Sequence, residues 1–142
     1  MNYTLLLAVD GSDGSLRAAR HVAYIAGAIQ ELKVHLLNVQ PLGDDWMVRR
    51  MLKPEELATL EQDWGGAAMA PARAILQEAG IVCTDHIVQG EVAKTIVRLA
   101  EELACDQIVM GTWGRSALGD LFMGSVAAKV LHLARVPVTL VK

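Results

Sequence analysis

The chain has 142 residues, of which 53% are hydrophobic and 4% aromatic, and its formal net charge is −3. This is enough apolar material for one buried core, so we expect a single domain over residues 1–142. The acidic balance and the shortage of aromatic side chains argue against nucleic acid as a partner, and no apolar run approaches the roughly 18 residues of a membrane-spanning helix.

Short apolar runs alternate along the chain with segments of helical periodicity. Strands are predicted at residues 3–9, 33–39, 81–88, 107–110 and 136–141. Helices are predicted at 16–29, 73–79, 92–103 and 125–134. Residues 42–64 form a long insert in which Pro54 suits a first helical turn. Gly65, Gly66 and Pro71 leave the helical register of the next segment open, and Gly80 is a good C-terminal stop.

Strict alternation of strand and helix predicts an α/β fold, a doubly wound open sheet of five parallel strands with helices on both faces. Right-handed crossovers with one reversal of direction allow the strand order 3-2-1-4-5 or the flavodoxin-type order. In the first order, which we predict, strands one and four are neighbours, and their carboxyl ends carry Asp10 and Gly111. Ligands of open α/β sheets bind in that crevice.

The most informative stretch is Gly111-Thr112-Trp113-Gly114, followed after nine residues by Gly124-Ser125. Glycine lets a backbone approach a ligand closely, and Gly124-Ser125 places free N–H groups and a hydroxyl at a helix N-terminus, where a phosphate binds well. Two tight turns without a ligand would explain the same glycines. The predicted position of these glycines beside Asp10 favours a binding site over turns alone.

Several known chemistries do not match the sequence. A Walker A loop requires a lysine before its Ser or Thr, and Gly124 precedes Ser125. The dinucleotide fingerprint G-x-G-x-x-G is missing after the first strand, and the hydrolase elbow G-x-S-x-G is missing throughout. The four histidines show no metal-ligand spacing. The isolated Cys83 and Cys105 favour reduced thiols and a cytoplasmic protein.

The chain resembles the universal stress protein family over essentially its whole length. The motifs that carry the resemblance are Val9-Asp10-Gly11-Ser12, Asn38-Val39, Gly90, the run from Ile108 to Ser116, Gly124-Ser125-Val126-Ala127 and Val136-Pro137-Val138. The spacing G-x-x-G, nine residues, G-[ST] is typical of that family's ATP-binding branch. The resemblance implies a Rossmann-like fold and ATP as the ligand, with Mg²⁺ as an open question.

The resemblance also implies a set of nucleotide contacts. They are Asp10, Val39, Gly111, Gly114, Arg115, Gly124, Ser125 and Val126. Asp10 would meet the adenine and ribose, and Val39 would offer its backbone to the adenine edge beside Pro41. Gly111 and Gly114 would let the loop wrap the ribose and phosphates, while Gly124, Ser125 and Val126 would hold the phosphates.

Other residues near these motifs have possible roles at the site, and for some of them two interpretations remain open. Arg115 would pair with a phosphate or stay solvated, and Trp113 would stack on the ligand or cap the loop. Met110 and Met123 are expected to pack beside the ligand. Asp13 and Asp120 are candidates to hold Mg²⁺ through the phosphates, although such carboxylates more often form turns.

Because no lysine precedes Ser125, the favoured function is a nucleotide-dependent switch or assembly module of the stress response, with no catalytic residue assigned. A slow Mg²⁺-dependent ATPase or autokinase is the alternative, and a structural dimer with a vestigial motif is a third. Pro137 suits an edge strand, and the resemblance implies a homodimer through antiparallel pairing of the final strands. A downstream protein partner is not identifiable.

Overall fold

The structure, a computed structural model, describes residues 2–41, 50–112 and 123–142. The strands are β1 (Tyr3–Ala8), β2 (Leu32–Gln40), β3 (Cys83–Gln89), β4 (Gln107–Gly111) and β5 (Val138–Val141). The helices are α1 (Asp13–Ala26), α2 (Pro54–Glu78), α3 (Val92–Glu102) and α4 (Ser125–Leu133). The predicted alternation of strand and helix is confirmed. The predicted insert lies partly at 42–49, outside the described residues.

The five strands form one parallel sheet in the predicted order β3-β2-β1-β4-β5. The central strand explains this arrangement, because Leu5, Leu6 and Leu7 are all fully buried. Successive residues of a strand point to opposite faces, so a continuous apolar run needs helices on both sides of the sheet. The apolar run of β1 therefore sets its central position.

The two faces of the sheet carry separate hydrophobic clusters. On one face, Leu5 and Leu7 pack with Val22 of α1 and Met69 of α2. On the other, residues of β1, β2 and β4 pack with those of α3 and α4, namely Leu6, Leu37, Ile108, Ile96 and Val130. In the described ranges, no helix is both long enough and apolar enough to cross a membrane.

Helix α2 is longer and more regular than its sequence suggests. It begins at Pro54, as predicted, and then runs for 25 residues through Gly65, Gly66 and Pro71. An interior proline costs about 3 kcal/mol, but Met69 and Ala72 on either side of Pro71 are almost fully buried. Tertiary burial therefore outweighs the local helix breakers.

The predicted stop of α2 is confirmed. Gly80 has φ +75°, a left-handed conformation that glycine adopts at little cost. The Ile81 N–H then donates to the Leu76 carbonyl at 2.9 Å. This turn keeps Ile81 in the core as part of the cap, and β3 begins two residues later than the sequence suggests, at Cys83.

Candidate functional site

A cavity of ≈ 890 Å³ lies at the carboxyl ends of β1, β2 and β4. Asp10 follows β1, Val39 is the penultimate residue of β2, and Gly111 ends β4, and all three line the cavity. Residues from the first turns of α3 and α4 complete it, among them Val92 and Ser125. Strand order alone brings these sequence-distant residues together, because the carboxyl ends of parallel strands share one edge.

The Asp10 carboxylate organises the turn between β1 and α1. Its Oδ1 accepts from the Ser12 N–H at 3.0 Å and from the Ser15 hydroxyl at 2.8 Å. The Ser15 Oγ accepts in turn from the Asp10 N–H at 2.8 Å. Gly11 adopts φ +83° between them, which is strained for other residues. Asp10 is therefore held in a fixed position at the cavity.

Ser12 caps helix α1. Its side chain accepts from the Ser15 N–H at 3.3 Å, and its backbone is extended, as at an N-cap. The N-cap of α1 is therefore Ser12, whose N–H donates to the Asp10 carboxylate, and not Asp10 itself. The Asp10 carboxylate therefore stabilises the turn and also lines the cavity.

The backbone of Val39 extends past the end of β1. The Val9 N–H donates to the Leu37 carbonyl at 2.9 Å, and the Val9 carbonyl accepts from the buried Asn38 amide at 2.9 Å. Alternate residues of a parallel strand present their backbone groups to the same neighbour. The backbone groups of Val39 therefore face the same side as those of Leu37, two residues beyond this last partner of β1, and Val39 lines the cavity.

The end of β4 packs against the start of α1. A Cβ built on Gly111 would lie 2.8 Å from the Gly14 carbonyl carbon and 2.9 Å from its oxygen. No side chain fits there. The sequence assigned Gly111 to the approach of a ligand, and the structure gives the residue a packing reason as well.

Helix α4 begins at the cavity. The Gly124 N–H donates to the Thr112 carbonyl at 2.9 Å, which ties the start of the helix to the end of β4. Gly124 is the N-cap and supplies no side-chain cap, while Ser125 and Val126 line the cavity. Backbone N–H groups at a helix N-terminus carry partial positive charge. This end of the cavity is therefore suited to an anion.

The charges around the cavity are few. Among the lining residues that the structure describes, Asp10 is the only charged one. Lys129 of α4 points to the Glu91 carboxylate instead, which also accepts from Lys94. These cations lower the pKa of Glu91, the Lys129 hydrogen bond most strongly. In the described lining, an anion would thus rely on backbone N–H groups and neutral side-chain donors such as the Ser125 hydroxyl.

One wall of the cavity comes from α2, whose helical register the sequence left open. Trp64, Ala67 and Ala68 line it from this helix. Their spacing of three and four residues places them on one helix face. The sequence contains this spacing, but the spacing defines a helix face only if the helix is continuous through Gly65 and Gly66.

The predicted site residues divide into three groups. Those that line the cavity are Asp10, Val39, Gly111, Gly124, Ser125 and Val126, together with Pro41, Met110 and Met123. Gly114, Arg115, Trp113 and Asp120 lie outside the described residues. Asp13 is the first residue of α1. In the described ranges, no group of three or more His, Cys, Asp or Glu is placed to hold a metal ion.

Comparison with known proteins gives a consistent result. The model of the Universal stress protein family matches residues 1–142. A universal stress protein of Thermus aquaticus is 36% identical over 147 residues, which cover 98% of each chain. The structure of hypothetical protein MJ0577 of Methanocaldococcus jannaschii has a TM-score of 0.85 at 28% identity, covering 100% of this chain and 96% of that one. A universal stress protein in complex with cAMP has a TM-score of 0.66 at 25% identity, covering 99% and 96%.

Proposed function

The chain belongs to the universal stress protein family, and we propose that it is an ATP-binding member that acts as a nucleotide-dependent switch or assembly module. The observation that carries the proposal is the cavity itself. It joins an anion-binding helix N-terminus to an apolar recess at the switch point of the sheet. A related universal stress protein forms a complex with cAMP, which supports an adenine nucleotide as the ligand class.

The two ends of the cavity suit the two ends of such a nucleotide. The backbone of β2 at Val39 extends beyond the end of β1 and offers its polar groups to the edge of a base. Asp10 lies beside it, just after β1. The first turn of α4 offers the N–H groups of Ser125 and Val126 to phosphates. Gly111, Gly114, Arg115 and Gly124 complete the proposed contacts.

Slow turnover is part of the proposal. Hydrolysis requires charge stabilisation at the γ-phosphate and a positioned water. Neither Lys nor Arg is among the described lining residues, and Gly124 stands where a Walker A loop has its lysine. A slow Mg²⁺-dependent ATPase or autokinase is the rival function, because Arg115 and Asp120 of the motif would supply part of that machinery.

The test begins with the purified protein. After denaturation, mass spectrometry identifies any nucleotide that was carried through purification, and calorimetry measures the affinity for AMP, ADP and ATP with and without Mg²⁺. We expect bound or readily binding adenine nucleotide and fewer than about one turnover per minute, far below typical enzyme rates. Rapid phosphate release would favour the enzyme, and no binding of any of the three nucleotides would refute the proposal.

The assembly part of the proposal concerns β5. This strand lies at the edge of the sheet beside β4, and all four of its residues are half-buried in the single chain. An edge strand with apolar side chains is a template for pairing with another chain. We therefore place a homodimer contact at Val138–Val141. A cytoplasmic location fits the free thiols of Cys83 and Cys105.

A further inference from the structure

Helix α2 is fixed over the carboxyl end of the sheet by two independent contacts. The Gln89 amide donates to the Glu61 carboxylate at 2.7 Å, which ties the helix to the end of β3. One turn later, Gly65 lies so near Ile87 that a Cβ would stand 2.6 Å from Cγ2. These contacts flank Trp64 in the sequence and hold its backbone in place.

Trp64 and Met123 are the exposed large apolar side chains in the described lining of the cavity, and Trp64 is the larger and more exposed of the two. It lines the cavity, yet 54% of its surface is exposed. The residues one turn further on are Ala67 and Ala68, whose small side chains leave room beside the indole. A tryptophan normally buries its large apolar surface. Here the indole surface borders open space at the cavity and is available to a ligand.

The opposite wall of the cavity belongs to α3. Val92 and Ile96 line it from the other face of the sheet, where Ile96 is part of the second hydrophobic cluster. Between this wall and Trp64 lies the strand edge at Val39. A flat, apolar group would lie between the indole and these aliphatic side chains with its polar edge toward the strand.

We propose that Trp64 forms the stacking wall for the purine base of the ligand. The inference rests on the proposed nucleotide function and assigns the base end of the cavity to the side near α2. Stacking uses the π-face, which every base has. Trp64 therefore contributes affinity for a planar ligand, and hydrogen bonds at the strand edge choose among bases.

The experiment compares Trp64→Ala and Trp64→Phe with the wild type by calorimetry with AMP. Trp64→Ala should weaken AMP binding about tenfold, within the range measured for base–aromatic stacks, and Trp64→Phe should recover most of the loss. The matched control is Tyr24→Ala, which removes an 84% exposed aromatic from α1, outside the described lining of the cavity, and should leave AMP affinity unchanged. Circular dichroism confirms that each variant is folded.

Tryptophan fluorescence separates stacking from an indirect effect. AMP should quench part of the wild-type emission, and that part should be missing in Trp64→Phe. An unchanged affinity in Trp64→Ala overturns the proposal, as does a weaker affinity in that variant with wild-type quenching in Trp64→Phe. If the wild type binds no AMP, ADP or ATP, the nucleotide function fails first and this assignment with it.

Discussion

Gly111 and Gly14 are in backbone contact, and a Cβ at Gly111 would overlap the Gly14 carbonyl carbon at 2.8 Å. The neighbour is backbone at the start of α1 and cannot rotate away. We predict that Gly111→Ala lowers the free energy of unfolding by about 1–3 kcal/mol, the usual cost of overpacking. Urea denaturation of the nucleotide-free protein measures this loss, so the result is independent of any ligand.

Gly66→Ala is the matched control for this substitution. In the described part of the chain, no atom beyond its sequence neighbours and the adjacent helix backbone lies within 4 Å of a Cβ at Gly66, and the residue is inside α2. Alanine should therefore stabilise the protein by about 0.5–1 kcal/mol through helix propensity. Equal midpoints for the two variants would show that the contact with Gly14 is looser than described.

The sequence predicted the strands because the apolar runs are short and bounded by turn residues, and the rules for crossovers left two strand orders, of which the predicted one is observed. Asp10-Gly11-Ser12 ends the first run, Gln40-Pro41 the second and Gly90 the third. It also predicted which strand ends meet, and Asp10, Val39 and Gly111 do lie at one cavity. These features depend on local chemistry and on the handedness of crossovers.

The α2 wall could not be predicted in the same way. Gly65, Gly66 and Pro71 each disfavour a helix locally, and the reason for a glycine at position 65 is its tertiary contact with Ile87. The role of Trp64 follows only when the helix is continuous. The packing reason for Gly111 is likewise invisible in a sequence, because Gly14 is distant along the chain.

Ser125→Pro tests whether backbone donors bind the phosphates. Proline is well tolerated at the first position of a helix, and Gly124 already has the extended ψ of 153° that a residue before proline adopts. The variant removes one N–H and the hydroxyl, whereas Ser125→Ala removes the hydroxyl alone. We expect nucleotide affinity to be about tenfold weaker in Ser125→Pro than in Ser125→Ala, the value of one charge-assisted hydrogen bond. Equal affinities by calorimetry would contradict this binding mode.

His35 should make the stability pH-dependent. It is 5% exposed, and its Nδ1 lies 2.9 Å from the His86 Nε2. Burial lowers the pKa of His35 below its usual 6.5, with further lowering by the charges of His86 and Lys33. The unfolded chain thus takes up the proton first, so the contribution is complete above pH 6.5 and is lost as the pH falls toward the folded-state pKa.

Urea denaturation between about pH 8 and about pH 5.5 measures this dependence. The free energy of unfolding should decline toward the acid side in the wild type, and His35→Gln should flatten the decline. A slope that is the same in both proteins would assign the pH dependence to other groups.

Cys105 should be nearly inert in the folded protein. It is 5% exposed, and burial raises the pKa of its thiol to about 11, with a smaller contribution from Asp106. At about pH 8 only about one thousandth of it is thiolate, the reactive form. Cys83 is half-buried, although burial and Asp85 raise its pKa too. Iodoacetamide labelling followed by mass spectrometry should modify Cys83 first and Cys105 only on unfolding; comparable rates in the folded protein would refute the burial of Cys105.

The proposed homodimer depends on backbone hydrogen bonds at the outer edge of β5. Thr112 N–H donates to the Val141 carbonyl at 3.0 Å, so Val141 faces β4. Alternate residues of a parallel strand face the same neighbour, and Leu140 therefore presents its N–H to the outer edge of β5, away from β4. Leu140→Pro removes that N–H without removing a donor to β4, whereas Leu140→Ala shortens the side chain and keeps the N–H.

We predict a dimer for the wild type and Leu140→Ala and a monomer for Leu140→Pro in light scattering, with circular dichroism showing all three folded. A dimeric Leu140→Pro protein would place the association elsewhere, and a monomeric wild type would exclude it, because a proline in the middle of the paired segment removes a ladder donor and disrupts edge pairing.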